Sequence, residues 1–452
     1  MTQDNDFVSM IRRLKHPRFA SMLILGFASG LPLLMVFQKL SVWLREVGID
    51  KSTIGFMYWI TIAYTLKWLW SPGVDRIKIP YLTEKLGQRR SWMIVAMVGT
   101  AVGLFVIAGS DPVNALWTTL LGAAILAYSG ATLDISIDAW RIESAETQDQ
   151  GFMAAIYQFG YRLAIMFSGA GLALTDYFPW YVTFSMMAGV MLTGAVLVLK
   201  MREPERNKVK VREAKPFLKS IYAAIFEPFQ QFFVRFKIWI IPVIGVVMFY
   251  RLSDFTMGVM AAPLYVDLGY SKSEIGTFQS GLGIWFAFAG TFAGAFFIAK
   301  WGVIRTMIIG APMTFITTAA YAGLASLGVP DQADIIRAAN GGELVGIDVP
   351  STWWLFTAIG ADNFAGGIVG TAFIAYLSSI TDSKNAATQY ACLSSFYAFF
   401  CKFAAGFSGV IADSIGYVGL FLISASYVIP TFVLLVLILW KGPLAVKGES
   451  QL

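Results

Sequence analysis

Histidine is almost missing from this chain, with His16 alone among 452 residues, and only two cysteines, Cys392 and Cys401, accompany it. No His/Cys cluster can supply a zinc ligand set, so no metal site is expected. The cysteines share one apolar stretch and stand two to three helical turns apart, which excludes a mutual disulfide. Charge is scarce too: 34 basic and 28 acidic side chains make 14% of the residues, against about 25% in a soluble domain. A water-soluble globule is excluded. No phosphate-cradling P-loop occurs, so ATP-driven pumping has no support. No nucleophile stands beside a base, and the chain is expected to be neither an enzyme nor a cofactor carrier.

What fills the sequence is apolar, at 57% hydrophobic residues, with 42 Gly and 36 Phe. A bilayer-spanning helix takes about 20 such residues. Runs of that length lie near 19–40, 52–71, 91–109, 114–139, 151–172 and 179–199, then near 237–263, 273–298, 304–327, 351–379, 386–412 and 416–440. The expected fold is an all-α polytopic membrane protein of twelve transmembrane helices in two pseudo-symmetric six-helix bundles, 1–199 and 237–452. Arg12, Arg13, Lys15 and Arg18 precede the first run without a small-residue cleavage site, so that run is expected to be a retained helix. The linker 200–236 spaces Phe217, Leu218, Ile221, Tyr222, Ile225 and Phe226 at helical intervals. It is expected to form a basic amphipathic helix on the membrane surface.

With both termini placed in the cytoplasm, 25 Lys/Arg fall on the cytoplasmic side and 4 on the other. This asymmetry predicts both ends inside. It also disperses the net +6 over loops, so no nucleic-acid partner is expected. A repeat supports the two halves: Gly48, Lys51, Ser52, Ile54 and Gly55 recur 221 positions later as Gly269, Lys272, Ser273, Ile275 and Gly276, and Gly73 maps onto Gly294. Parallel repeats of this kind are common in carriers.

Nine ionisable residues fall inside the apolar runs: Lys39, Lys67, Arg162, Arg251 and Lys402 against Asp134, Asp138, Asp254 and Asp362. A charge at the bilayer centre costs at least about 2.5–3.5 kcal/mol, which marks each as a functional candidate. Asp134 and Asp138, four residues apart, share one helix face. Two close carboxylates resist joint ionisation, as a proton carrier requires, whereas an ion pair with Arg162 or a cytoplasmic place for Asp138 would make them structural. Asp254 and Asp362 complete the acids expected to couple protons, although Arg251 and Asp254, three residues apart, could simply neutralise each other. One wet chamber shared by the two halves would account for all these charges.

Several segments carry a resemblance. Gly73, Asp75 and Arg76, with Gly87-Gln88-Arg89-Arg90, resemble the major facilitator superfamily signature stretched by an insertion, which implies a conformational gate at Gly73, Asp75 and Arg76. The stretches L-I-L-G-F-A-S-G-L-P (23–32), A-Y-T-L-K-W-L-W-S-P (63–72), L-D-I-S-I-D-A-W (133–140), G-Y-R (160–162), Y-R-L-S-D (250–254), D-N-F-A-G-G (362–367) and A-T-Q-Y-A-C-L-S-S (387–395) resemble the AmpG-type muropeptide permeases. The resemblance implies a proton-coupled importer of anhydro-muropeptides for cell-wall recycling, in the bacterial inner membrane, with protons, lipids and a small glycopeptide as partners. It is expected to act as a monomer. Carriers of acetyl-coenzyme A or of peptides remain the alternative. Lys39 departs from the family pattern, where a small or polar residue is expected.

Such a cargo predicts its lining. Arg162 and Arg251 suit a carboxylate through their planar forks, with Lys67 as a point charge. Tyr64, Tyr157, Tyr161, Tyr250 and Trp285 could cover sugar faces, and Gln158, Asn363 and Gln389 could pair hydroxyls or amides. For each aromatic taken singly, lipid-facing packing is the competing account. Gly30-Leu31-Pro32, and Gly281, Gly283, Gly290 and Gly294, could supply moving parts or merely close packing.

Overall fold

A computed structural model gives the fold and describes residues 17–144, 150–204, 235–328, 349–381 and 386–442. The expected amphipathic linker helix and His16 lie outside the described residues. The described residues are helical, and the twelve passes are α1 (Pro17–Glu46), α2 (51–76), α3 (Gln88–Ala108), α4 (Leu116–Ser144), α5 (Gln150–Leu174), α6 (Trp180–Leu199), α7 (Lys237–Asp267), α8 (Lys272–Trp301), α9 (Val303–Ser326), α10 (Thr352–Ile380), α11 (386–415) and α12 (416–441). Among the described residues, nine helices are each long and apolar enough to cross a membrane. The protein is a multi-pass membrane protein.

The passes that depart from this simple pattern do so for local reasons. Span α2 is broken into Lys51–Met57, a 3-10 turn Tyr58–Ile62, Ala63–Leu66, a second 3-10 turn Lys67–Leu69, and Ser71–Arg76. Span α1 contains Pro32 and then a π-helical turn, Met35–Lys39. Proline removes one backbone donor, and the ladder slips beside it. In α8 a second π-helical stretch occupies Gly276–Leu282. Between α11 and α12, Gly416 takes φ 75 and ψ 173 and ends the helical path. Both cysteine thiols are free.

The chain divides into two compact units, Met1–Val47 with Ala63–Lys210, and Gly48–Ile62 with Val211–Leu452. In the first, Gly26 of α1 and Gly160 of α5 interlock: a Cβ on Gly26 would run into the Tyr157 carbonyl oxygen, and one on Gly160 would run into that of Leu23. Missing side chains let the two backbones touch. The core of the second gathers Val246, Val247 and Tyr250 of α7, Met307 and Ala311 of α9, and Val369, Phe373 and Tyr376 of α10. There, Gly290 of α8 and Gly367 of α10 interlock in the same way, with added Cβ atoms driven against the carbonyl oxygens of Phe364 and Ala287.

The second unit also holds the start of α2 against α11. Asp413 accepts from the Ser52 amide at 2.9 Å and its hydroxyl at 2.6 Å, and lies 3.5 Å from Lys51 Nζ. Trp59 stacks on Phe403 and donates to its carbonyl oxygen at 2.9 Å. Lys402 donates to the Thr61 carbonyl at 2.8 Å, inside the 3-10 turn. An in-span cation here bonds a backbone oxygen of an irregular turn.

Candidate functional site

In the first unit, four helices meet around Asp134. Its Oδ1 accepts from the Ser29 hydroxyl of α1 at 2.5 Å, and its Oδ2 lies 3.6 Å from Lys67 Nζ of α2. Ser29 in turn sits 2.6 Å from the Tyr157 hydroxyl of α5. A serine has one proton to give, and Asp134 takes it, so Tyr157 must be the donor to Ser29. The result is a continuous hydrogen-bonded line from Tyr157 through Ser29 to Asp134, closed by the Lys67 ammonium.

One turn along α4, Asp138 lies 3.7 Å from the same Lys67 nitrogen and 3.6 Å from Arg141. The two carboxylates do share a partner, and that partner is Lys67. Asp138 is the wetter of the two, with its side chain 46% exposed against 16% for Asp134. Tyr64 and Tyr161 stand close enough to Asp134 for electrostatic coupling, and Arg162 acts on Tyr161. Gly130 makes this possible: a Cβ there would collide with the Tyr64 hydroxyl and meet Pro32 at 2.9 Å. Gln158, expected to line the site, is an exposed residue of α5. It follows Tyr157 by one residue, so its side chain leaves the helix at a different angle.

In the second unit the centre is Arg251. It sits where α7 is interrupted, between Ile240–Phe249 and Leu252–Asp267, and its Nη1 lies 2.7 Å from Asp254 Oδ2. Asp362 of α10 accepts from Thr317 of α9 at 3.4 Å and feels the charges of both Arg251 and Asp254. Tyr397 and Cys401 of α11 also act on Arg251. Gly370 of α10 leaves room, since its added Cβ would stand 3.9 Å from Arg251 Nη1. Lys67 and Arg251 thus occupy the same kind of position, a cation at a break in a helix facing carboxylates.

Four expected lining residues of the second half lie elsewhere. Tyr250 is 1% exposed, stacks on Phe373 and donates to the Met307 carbonyl at 3.2 Å; it is core. Asn363 donates to the Ile359 carbonyl of its own helix at 2.9 Å and packs on Gly283, so its amide serves the α8–α10 contact. Trp285 is 64% exposed, on the face of α8 opposite Gly283, Gly290 and Gly294, which pack against α10. Gln389 is buried in α11, eight residues before Tyr397 and so about 12 Å further along the helix axis.

The expected gate also has other members. Asp75 is paired, but with Arg89 at 2.5 Å, and Arg89 reaches Glu143 at 2.6 and 3.0 Å. Glu203 accepts from the Arg89 and Arg90 amides at 2.8 and 3.1 Å, at the start of α3, where a helix N-terminus favours a carboxylate. Gly87, with φ 89, leaves no space for a Cβ beside Glu203. Gly73 meets only Ile77, at ordinary contact distance, and Arg76 is exposed. The cation of the cluster is Arg89, and Gly73 marks no close helix approach.

Sequence reasoning missed Ser29, Thr317, Tyr397, Cys401, Glu143 and Glu203 as participants. Ser29 had a signal, since it lies in the A-S-G-L-P stretch just before Pro32. The others carry none that a single sequence displays.

A helical membrane protein with an acid and a cation paired inside each of two compact units has the build of a secondary carrier. Solved structures agree on the fold. The chain is similar to a mutant of the nucleoside transporter NupG, with TM-score 0.65 and 11% identity over 93% of this chain and 99% of that one. It is also similar to a D-xylose-proton symporter, with TM-score 0.62 and 14% identity over 96% and 98%. Residues 19–336 match the Major Facilitator Superfamily model. The chain belongs to that superfamily and, within it, to the AmpG-type permeases. Among its relatives are the putative transporter AmpG 4 of Rickettsia felis, 30% identical over 93% of this chain and 96% of the relative, and the anhydromuropeptide permease of Escherichia coli, 28% identical over 94% and 80%. It is a transporter.

Proposed function

We propose that the protein imports anhydro-muropeptides with protons across the bacterial inner membrane, exposing its site to one side and then the other, as a monomer with both termini in the cytoplasm. The observation that carries this reading is the line Tyr157–Ser29–Asp134 closed by Lys67. The name of the Escherichia coli relative supports the cargo, and the Asp134 cluster supports the coupling. With Asp134 ionised, Lys67 is neutralised by it. A proton arriving at Asp134 removes that attraction and frees the ammonium for Asp138 or for a cargo carboxylate. Proton uptake and anion capture are thereby linked at one residue. The Arg251–Asp254 pair with Asp362 offers a second anion-binding cation in the other unit.

The test is uptake of labelled anhydro-muropeptide by proteoliposomes. An inward proton gradient should drive accumulation, and Asp134→Asn should abolish the dependence on that gradient while the protein still purifies folded. Gradient-independent accumulation would overturn the coupling. Uptake of acetyl-coenzyme A or a free peptide in preference to the muropeptide would overturn the cargo.

A further inference from the structure

Lys39 is used by nothing described so far. Its side chain is fully enclosed at 0% exposure, and its nitrogen has no hydrogen-bond partner among the described residues. The other cations of the two centres are answered: Lys67 by two carboxylates and Arg251 by Asp254. The side-chain oxygen of Gln38, the neighbouring residue, is likewise buried with no hydrogen-bond partner among the described residues. Both residues close the π-helical turn Met35–Lys39 of α1, two turns beyond the Ser29 that bonds Asp134.

In either protonation state this arrangement is unfavourable. A buried ammonium has lost its hydration with nothing to replace it. A neutral amine still carries donors that meet no acceptor. A methionine of the same reach would fill the space without either penalty. π-helical turns inside α-helices recur at functional sites, because the extra residue can be taken in or let out. An expense of this kind in a carrier core is expected where another state of the protein uses the group.

We infer that Lys39 reads an oxyanion of the cargo, carboxylate or phosphate, in a state of the carrier in which the Met35–Lys39 turn opens. The inference rests on the reading of the chain as a carrier of a charged sugar, and it adds a residue that discriminates anionic from neutral sugars. Lys39 bonds the anion in that state and is buried in the state described here.

The test uses the purified full chain and three probes: N-acetylmuramic acid, which carries a carboxylate, N-acetylglucosamine 6-phosphate, and neutral N-acetylglucosamine. Lys39→Met should raise the melting temperature of the ligand-free protein. It should weaken binding of one or both anionic sugars by roughly 10- to 100-fold, the worth of one charge-assisted hydrogen bond, and leave the neutral sugar unchanged. Lys39→Arg should keep part of the preference. Loss confined to the carboxylate or to the phosphate sugar identifies the anion. A lower melting temperature with anion binding unchanged, equal loss for all three sugars, or no anion preference in the parent protein would each overturn the inference. Failure of muropeptide uptake, with the anion preference and its Lys39 dependence intact, would sink the cargo reading alone.

Discussion

Lys67 answers two carboxylates on successive turns of α4, and the balance between them is a property of three side chains. Asp134 is the drier acid and has Ser29 as a second partner, whereas Asp138 is wetter and has Arg141. Removing Lys67 therefore leaves Asp134 with a serine proton and no countercharge. We expect Lys67→Met to destabilise the protein by more than the roughly 1 kcal/mol of an exposed pair and less than the roughly 3–5 kcal/mol of a fully buried one. Adding Asp134→Asn to Lys67→Met should recover part of that loss, and thermal melts of the four proteins give the coupling. Additive losses would show that Lys67 and Asp134 do not act as a pair. The shared face of Asp134 and Asp138 was legible from their spacing alone, and so was the candidacy of Lys67 and Arg251 as in-span cations. The Arg251–Asp254 pair was legible too, from a spacing of three; that Lys67 meets both acids of α4 was not, because it depends on which faces of separate helices the glycines bring together. The same reason sends Tyr250 into the core: an aromatic beside a charge in sequence leaves the helix on a different face.

Helix contacts here are set at positions where a methyl group has no room. Gly366 and Gly367 are adjacent on α10 and make an internal control. A Cβ on Gly367 would stand 2.5 Å from the Ala287 carbonyl oxygen of α8, while nothing lies within 4 Å of one on Gly366. Gly367→Ala should then force α8 and α10 apart, at about 1–3 kcal/mol as for other overpacked cores. Gly366→Ala should be neutral or stabilising by up to about 1 kcal/mol through helix propensity. Melting temperatures that fall equally for both substitutions would contradict the reciprocal packing. Apolar run length located all twelve passes to within several residues, since a span must be long and greasy wherever it lies. The 3-10 turns of α2, the π-helical turns of α1 and α8 and the interruption of α7 were hidden. Of these, only the turn in α1 follows a residue, Pro32, that breaks a helix by its own chemistry.

The repeat read from five residues extends into backbone geometry. Gly48 and Gly269 both take positive φ, 85 and 81, where glycine has no steric penalty. Asp50 caps the helix that follows through the Thr53 amide, and Ser271, 221 positions later, caps its own through the Glu274 amide. Cap and turn have the same place in both copies although the capping residue differs, which a residue-by-residue comparison cannot detect. Sidedness follows from where the loops of such a molecule lie. An even number of passes puts both ends on one face, and the uneven distribution of Lys and Arg predicts that this face is the cytoplasmic one. The loop between α2 and α3, which carries the Arg89 cluster, would then be cytoplasmic, and the loop between α3 and α4 external. In a background with Cys392 and Cys401 replaced by alanine, a single cysteine at Glu84 or at Val113, both exposed, reports this directly. A membrane-impermeant maleimide added to spheroplasts should label Val113→Cys and spare Glu84→Cys, and inverted vesicles should reverse the pattern. Labelling of Glu84→Cys from outside would place the Arg89–Asp75–Glu143 cluster on the external face, and with it the termini.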